Sequence, residues 1–94
     1  MDLKSAFADL RTVINNDLKD LGQRIRTRRK ALGLTQEELA DIAGIDRSYI
    51  GSVERGERNI TFNVLCQICK AIECDVGTLT LSLPAPSPRD GYAR

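Results

Sequence analysis

Cys66, Cys69 and Cys74 carry the most versatile chemistry in the sequence. A C-x-x-C with a third thiol five residues on could hold zinc or exchange electrons. The chain has no histidine, so imidazole ligands and a histidine general base are excluded. An odd number of thiols argues against a disulfide framework. Cys66 and Cys69 fall inside a helical apolar pattern, with Cys69 on its inner side. Cys69 and Cys74 are therefore expected to act as small buried hydrophobes, with no metal and no cofactor. The sequence also lacks a glycine-rich phosphate loop and a clustered carboxylate pair, so no catalytic site is expected.

The elements that could position functional groups are few. Ninety-four residues, 41% hydrophobic and 29% charged, suffice for one domain with a small core and not for two. No apolar run approaches the roughly 20 residues of a membrane span, so no membrane partner is expected. The opening MDLKSAFADL has no apolar signal-peptide core, and the expected compartment is the cytoplasm. Bases exceed acids by 14 to 13, and a net charge of +1 is no signature of polyanion binding. The distribution is less even. Arg24, Arg26, Arg28, Arg29 and Lys30 lie between Gly22 and Leu34 with no acid among them. A near-neutral chain can carry one basic face, and that face sets the local potential.

Apolar spacing and turn signals divide the chain into three zones. In 1–16, Leu3, Phe7, Leu10, Val13 and Ile14 recur at helical spacing. They predict an extra N-terminal helix whose stripe must be buried against the domain or against a second subunit. Residues 84–94 hold all three prolines and predict a disordered tail. The middle zone, 17–83, reads as an all-α unit of five helices.

The first of these runs from Asp17 to about Leu32 with Leu18, Leu21, Ile25 and Leu32 inward, and Gly33 ends it. Thr35, followed by Glu38, is a capping box that opens the second, which turns Leu39, Ala40 and Ala43 inward. Asp46 caps the third, with Ile50 and Val53 inward and Gly56 as its stop. Thr61 opens the fourth, over Phe62, Leu65, Ile68, Cys69 and Ile72. Asp75 opens the fifth, over Val76 and Leu79. Residues 78–83 alternate strictly between polar and apolar. The fifth helix is expected to take the first half of this stretch, with a short strand paired across a dimer as the alternative.

The second and third helices are the informative pair. Only about three residues around Gly44 separate them, which forces a sharp crossing of the helix-turn-helix type. The apolar positions fit that geometry together: Gln36-x-x-Leu39-Ala40-x-x-Ala43-Gly44-Ile45-x-x-x-x-Ile50-x-x-Val53. With these residues in register, the stretch from Leu21 to Leu79 resembles the Cro and cI repressor (XRE) family. The segments Asp46 to Ile50 and Glu54 to Thr61 are similar in wording to restriction–modification controller proteins. That resemblance implies a five-helix, lambda-repressor-like fold, a homodimer, and a third helix lying in the major groove of double-stranded DNA.

The resemblance also implies roles for single residues. Arg47, Ser48, Gly51 and Ser52 are expected to form the outer face of the third helix. Arg47, Ser48, Ser52 and Arg58 are the expected base readers. An arginine fork can bond guanine O6 and N7 together. Thr35, Gln36, Tyr49, Asn59 and Arg28 are the expected phosphate contacts, with packing an equal alternative for Tyr49. Arg29 and Glu54 match a family ion pair that ties the first helix to the third. Val76, Leu79, Leu81 and Leu83 are expected to form the dimer surface, being more apolar groups than one small core can use. Glu73 departs from the family: it ends a helix where glycine or asparagine is usual. The rival reading is a protein-binding module, either an antitoxin whose partner is a toxin or an adaptor that contacts RNA polymerase.

Overall fold

In the computed structural model the backbone is described for residues 3–84 and the side chains for 16–84. The predicted tail therefore lies outside the described residues from 85 onward, as do the side chains of the N-terminal stripe. Five helices follow one another: α1 (Leu3–Ala31), α2 (Gln36–Ala43), α3 (Arg47–Glu54), α4 (Phe62–Ala71) and α5 (Val76–Leu79). Among the described residues there is no strand, and residues 80–82 form a turn. The strand alternative for 78–83 therefore fails, and the fifth helix takes the first half. The extension is helical, but it is continuous with the first helix and not a separate one. Asn15, Asn16 and Asp17 supply neither glycine nor proline, and lengthening an existing helix needs no new nucleus.

Local chemistry sets the ends. The Thr35 hydroxyl accepts the Glu38 amide at 3.0 Å, and Glu38 Oε1 accepts the Thr35 amide at 2.9 Å. Asp46 accepts the Ser48 amide at 2.8 Å, Thr61 the Val64 amide at 3.2 Å, and Asp75 the Thr78 amide at 2.6 Å. These bonds occupy amides that the first turn of a helix leaves without partners. They also favour the charged carboxylates. Ser48, through its hydroxyl and then its amide, holds Asp46 below its ordinary range. The amides of Thr78 and Thr35 do the same for Asp75 and Glu38. Carboxylates depressed in the folded state stabilise it fully above their unfolded pKa. That contribution disappears as pH falls through the folded values. The melting temperature is therefore expected to drop below about pH 4, near the unfolded carboxylate values. Asp46→Asn, which keeps a capping oxygen, should flatten that drop in a pH series of thermal melts.

Helices α1 to α4 end alike. At the end of α2, Gly44 adopts φ 69°, its amide bonds Asp41 O at 3.3 Å, and the Ile45 amide bonds Ala40 O at 2.9 Å. This closing turn reverses the chain and drops Ile45 onto the core. In α4 the left-handed position falls to Glu73, with φ 55°. Two bonds from Arg28 cover that end: Nε to Ile72 O at 2.9 Å and Nη2 to Glu73 O at 3.1 Å. A side chain in the left-handed region costs about 1–2 kcal/mol, and glycine returns part of the gain through unfolded-state entropy. Glu73→Gly is expected to stabilise the protein by roughly 0.5–1 kcal/mol, read as a higher urea midpoint.

The core gathers Leu21 and Ile25 of α1, Leu39, Ala40 and Ala43 of α2, Ile50 and Val53 of α3, Leu65, Ile68 and Cys69 of α4, and Leu79 of α5. Burial pushes the Cys69 thiol up to about 11, with smaller contributions from Cys74, Cys66 and Asp75. At neutral pH it packs as a neutral apolar group. Phe62, expected inward, is 69% exposed. It is the first residue of α4, where the helical stripe has passed the edge of the domain.

Candidate nucleic-acid interface

Helix α3 is gripped from two sides. α1 approaches so closely at Gly22 that a Cβ there would lie 2.6 Å from the Glu54 carbonyl oxygen. On the same flank, a Cβ on Gly56 would lie 2.8 Å from the backbone of Lys19. α2 packs against α3 as well. Arg29 reaches from α1 and binds the Glu54 carboxylate twice, Nε to Oε2 at 2.6 Å and Nη2 to Oε1 at 3.0 Å. Its third bond, Nη1 to Leu34 O at 2.8 Å, ties the α1–α2 turn to the same centre. Glu54 raises Arg29 above its ordinary value, against an opposing effect of burial. Gln36 Nε2 then donates to Glu54 Oε1 at 3.1 Å. One buried carboxylate thus fixes α1, the opening of α2 and the end of α3.

Two positions expected on the outer face are inside instead. Gly51 is buried, because the side chains of Gln36 and Arg55 lie across it: a Cβ there would be 3.5 Å from Gln36 Oε1 and 3.2 Å from Arg55 Nη1. Ser52 is only 9% exposed. Its hydroxyl donates to Tyr49 O at 2.8 Å and accepts Arg58 Nε at 3.1 Å. The Ser52 hydroxyl is thus occupied on both sides and holds Arg58 in place. The Arg58 guanidinium also lies 4.9 Å from the centroid of the Tyr49 ring, a cation–π arrangement that orients its fork. Tyr49 is half-buried and packs against the core, which favours the packing alternative for it.

Arg47 and Ser48 are exposed at the start of α3. Arg47 has no hydrogen bond or ion pair among the described residues, whereas the Ser48 hydroxyl donates to Asp46 Oδ1. Asn59 is exposed in the loop that follows α3. Thr35 spends its amide and its hydroxyl oxygen on the capping box. Arg28 has its Nε and Nη2 committed to the end of α4. Arg55 is exposed beside Gln36 and paired with Glu57 at 3.0 Å.

The expected dimer surface divides in the same way. Leu79 is 4% exposed and belongs to the core, because the short α5 closes the bottom of the domain. Val76 and Leu83 are half-buried against that core. Leu81, at 69%, is the free apolar group of the four. Arg24 fastens this turn to α1 through Nη1, to Leu79 O at 2.9 Å and Leu81 O at 2.7 Å.

Two short helices, α2 and α3, joined by a tight turn through a left-handed glycine make a helix-turn-helix unit. The chain belongs to the helix-turn-helix family, whose model matches residues 25–79. It is 45% identical over 64 residues to the control protein C.SmaI of Serratia marcescens, covering 67% of this chain and 76% of that one. It superposes with a TM-score of 0.67, at 44% identity, on the restriction–modification controller protein C.AhdI of Aeromonas hydrophila. That match spans 68% of this chain and 97% of the other. The controller protein C.Esp1396I, solved as a tetramer in complex with its natural 35-base-pair operator, matches at 35% identity and a TM-score of 0.63, over 67% of this chain and 83% of that one. No described helix is long and apolar enough to cross a membrane.

Proposed function

We propose that the protein is a transcriptional regulator that binds double-stranded DNA sequence-specifically as a homodimer, in the manner of restriction–modification controller proteins. The observation that carries the reading is Arg47, exposed and without a partner among the described residues, at the start of a helix that α1 and α2 hold in place. In this reading Arg47 and the oriented fork of Arg58 read base edges, and Ser48 reaches bases or phosphate. Gln36, set by Glu54, and Asn59 hold the backbone, with Thr35 at the mouth of α2. Leu81, flanked by Val76 and Leu83, meets its copy across the two-fold axis. The protein works in the cytoplasm and is not an enzyme. Relatives that are regulators and controllers favour DNA over a toxin or another protein as the main partner.

Selection of bound duplexes from a random pool tests this directly. A palindromic consensus with half-sites roughly one helical turn, about 34 Å, apart is expected. Binding should weaken steeply with added salt. A pool that emerges without any preferred sequence would falsify the reading.

A further inference from the structure

Two thiols meet at the end of α4. The closing turn there is of the kind that packs the residue after its left-handed position on the residue five places earlier. Glu73 holds the left-handed position, so the two residues are Cys74 and Cys69. The Cys74 amide bonds Cys69 O at 3.0 Å, and the Glu73 amide bonds Lys70 O at 3.3 Å. A backbone bond that short keeps the two Cα atoms within about 7 Å of each other. Disulfides join Cα atoms roughly 4.4–6.8 Å apart, so the turn brings this pair into bonding range. Arg28 fastens the carbonyls of Ile72 and Glu73 and holds the turn in this shape.

The two thiols differ in access. Cys69 is 3% exposed within the core. Burial keeps it protonated, and Cys74 is the next largest influence on it, as their closeness requires. Cys74 is half-buried against the same core. It also lines an open groove between α1 and α5, together with Asp20, Arg24, Arg28 and Thr78. A small oxidant meets Cys74 first, and Cys69 stands behind it. Cys66 is the poorer partner for Cys69. It lies one turn back on α4, where Cβ atoms are roughly 5–6 Å apart, whereas a disulfide needs about 3.5–4.5 Å.

We propose that Cys69 and Cys74 are an oxidation site, a thiol pair that a peroxide closes into one intramolecular disulfide across the end of α4. The Cys74 sulfur attacks a peroxide oxygen and the O–O bond breaks. Cys74 becomes a sulfenic acid and one water leaves. The Cys69 sulfur then attacks the Cys74 sulfur. The S–S bond forms, the S–O bond breaks, and the departing hydroxyl takes the Cys69 proton to give a second water. The two thiols have lost two electrons and the peroxide has gained them. Two equivalents of a small thiol reverse the change and leave as their own disulfide. Reduced, the pair packs as two small apolar groups; oxidised, it locks the end of α4 to the residue that precedes the Asp75 cap of α5.

The test treats the folded full chain with one equivalent of hydrogen peroxide, then unfolds it in urea and caps free thiols with iodoacetamide for mass spectrometry. Two of the three cysteines should escape capping, and the uncapped chain should be lighter by two hydrogens. Dithiothreitol should restore all three. Trypsin cuts at Lys70, between the paired residues, so the link should join fragment 59–70 to fragment 71–89. Cys66→Ala should keep that link, which identifies Cys69 as the partner. Cys74→Ser should keep both of its remaining thiols under the same treatment. A chain unfolded in urea before the peroxide should join Cys74 to Cys66 as readily as to Cys69. Loss of the link in Cys66→Ala overturns the inference, as does a Cys74→Ser chain whose thiols disappear as in wild type. A folded chain that yields only sulfinic acid or links between molecules overturns it too. The same pairing in the folded and unfolded chains would trace the link to sequence proximity and not to the turn, with the same result.

Discussion

Arg29→Ala is expected to lower stability by about 3–5 kcal/mol. The reason is what the substitution leaves behind. The Glu54 side chain is 2% exposed and would be left with Gln36 as its one side-chain donor. The Leu34 carbonyl would also lose its guanidinium partner. The cost of such a site is that of an uncompensated buried charge, which greatly exceeds the net worth of the intact pair. For a domain of this size the loss corresponds to a melting temperature lower by roughly 12 °C or more. The double variant Arg29→Met, Glu54→Leu separates the two quantities. With both charges replaced by packed apolar groups, most of the stability should return. DNA affinity should not return with it, because Gln36 would have lost the acceptor that sets its side chain. Urea denaturation and a gel shift on the same samples check both halves. A single Arg29→Ala variant within about 1 kcal/mol of wild type would show that the pair is not buried as described.

What the sequence made legible follows from how local each cause is. Thr35, Asp46, Thr61 and Asp75 were readable as caps because the amides they accept lie two or three residues away. Gly44 was readable because a three-residue link between two helices needs a left-handed turn. The Arg29–Glu54 pair came from resemblance alone, since nothing local joins residues 25 apart. Ser52 and Gly51 were misplaced for a related reason. Small residues without strong apolar character were assigned outward, but α3 is gripped on two flanks and five of its eight residues, Ile50 to Glu54, are buried. The close approach at Gly22 depends on carbonyls at the end of α3. Arg24 and Arg28 find their acceptors 55 and 44 residues away, at Leu79 and Ile72. Such partnerships exist only after the chain has folded, so a basic run read as field turned out to include two structural clasps. Leu79 shows the same limit in an apolar group, because whether it caps a core or meets a copy depends on the packing around α5.

Arg47→Ala carries the largest functional effect. Arg47 is exposed and unpaired, so its removal should change stability by no more than about 0.5 kcal/mol. A bidentate arginine–guanine contact discriminates by about 1–3 kcal/mol, so preference for the selected duplex should fall roughly 5- to 150-fold in each half-site. Arg47→Lys distinguishes recognition from charge. Lysine keeps the positive charge but presents a point donor in place of a planar fork. Its affinity for random duplex and its salt slope should match wild type, while its preference for the selected sequence falls. If charge alone were responsible, Arg47→Lys would retain the preference and Arg47→Ala would flatten the salt slope by about one unit. Arg58→Ala extends the comparison, because that fork is pre-oriented by Tyr49 and Ser52 whereas Arg47 is free. Ser52→Ala should then act on the same base positions as Arg58→Ala and leave those of Arg47 alone. A Ser52 effect that tracked Arg47 would break the link between the buried hydroxyl and the Arg58 fork.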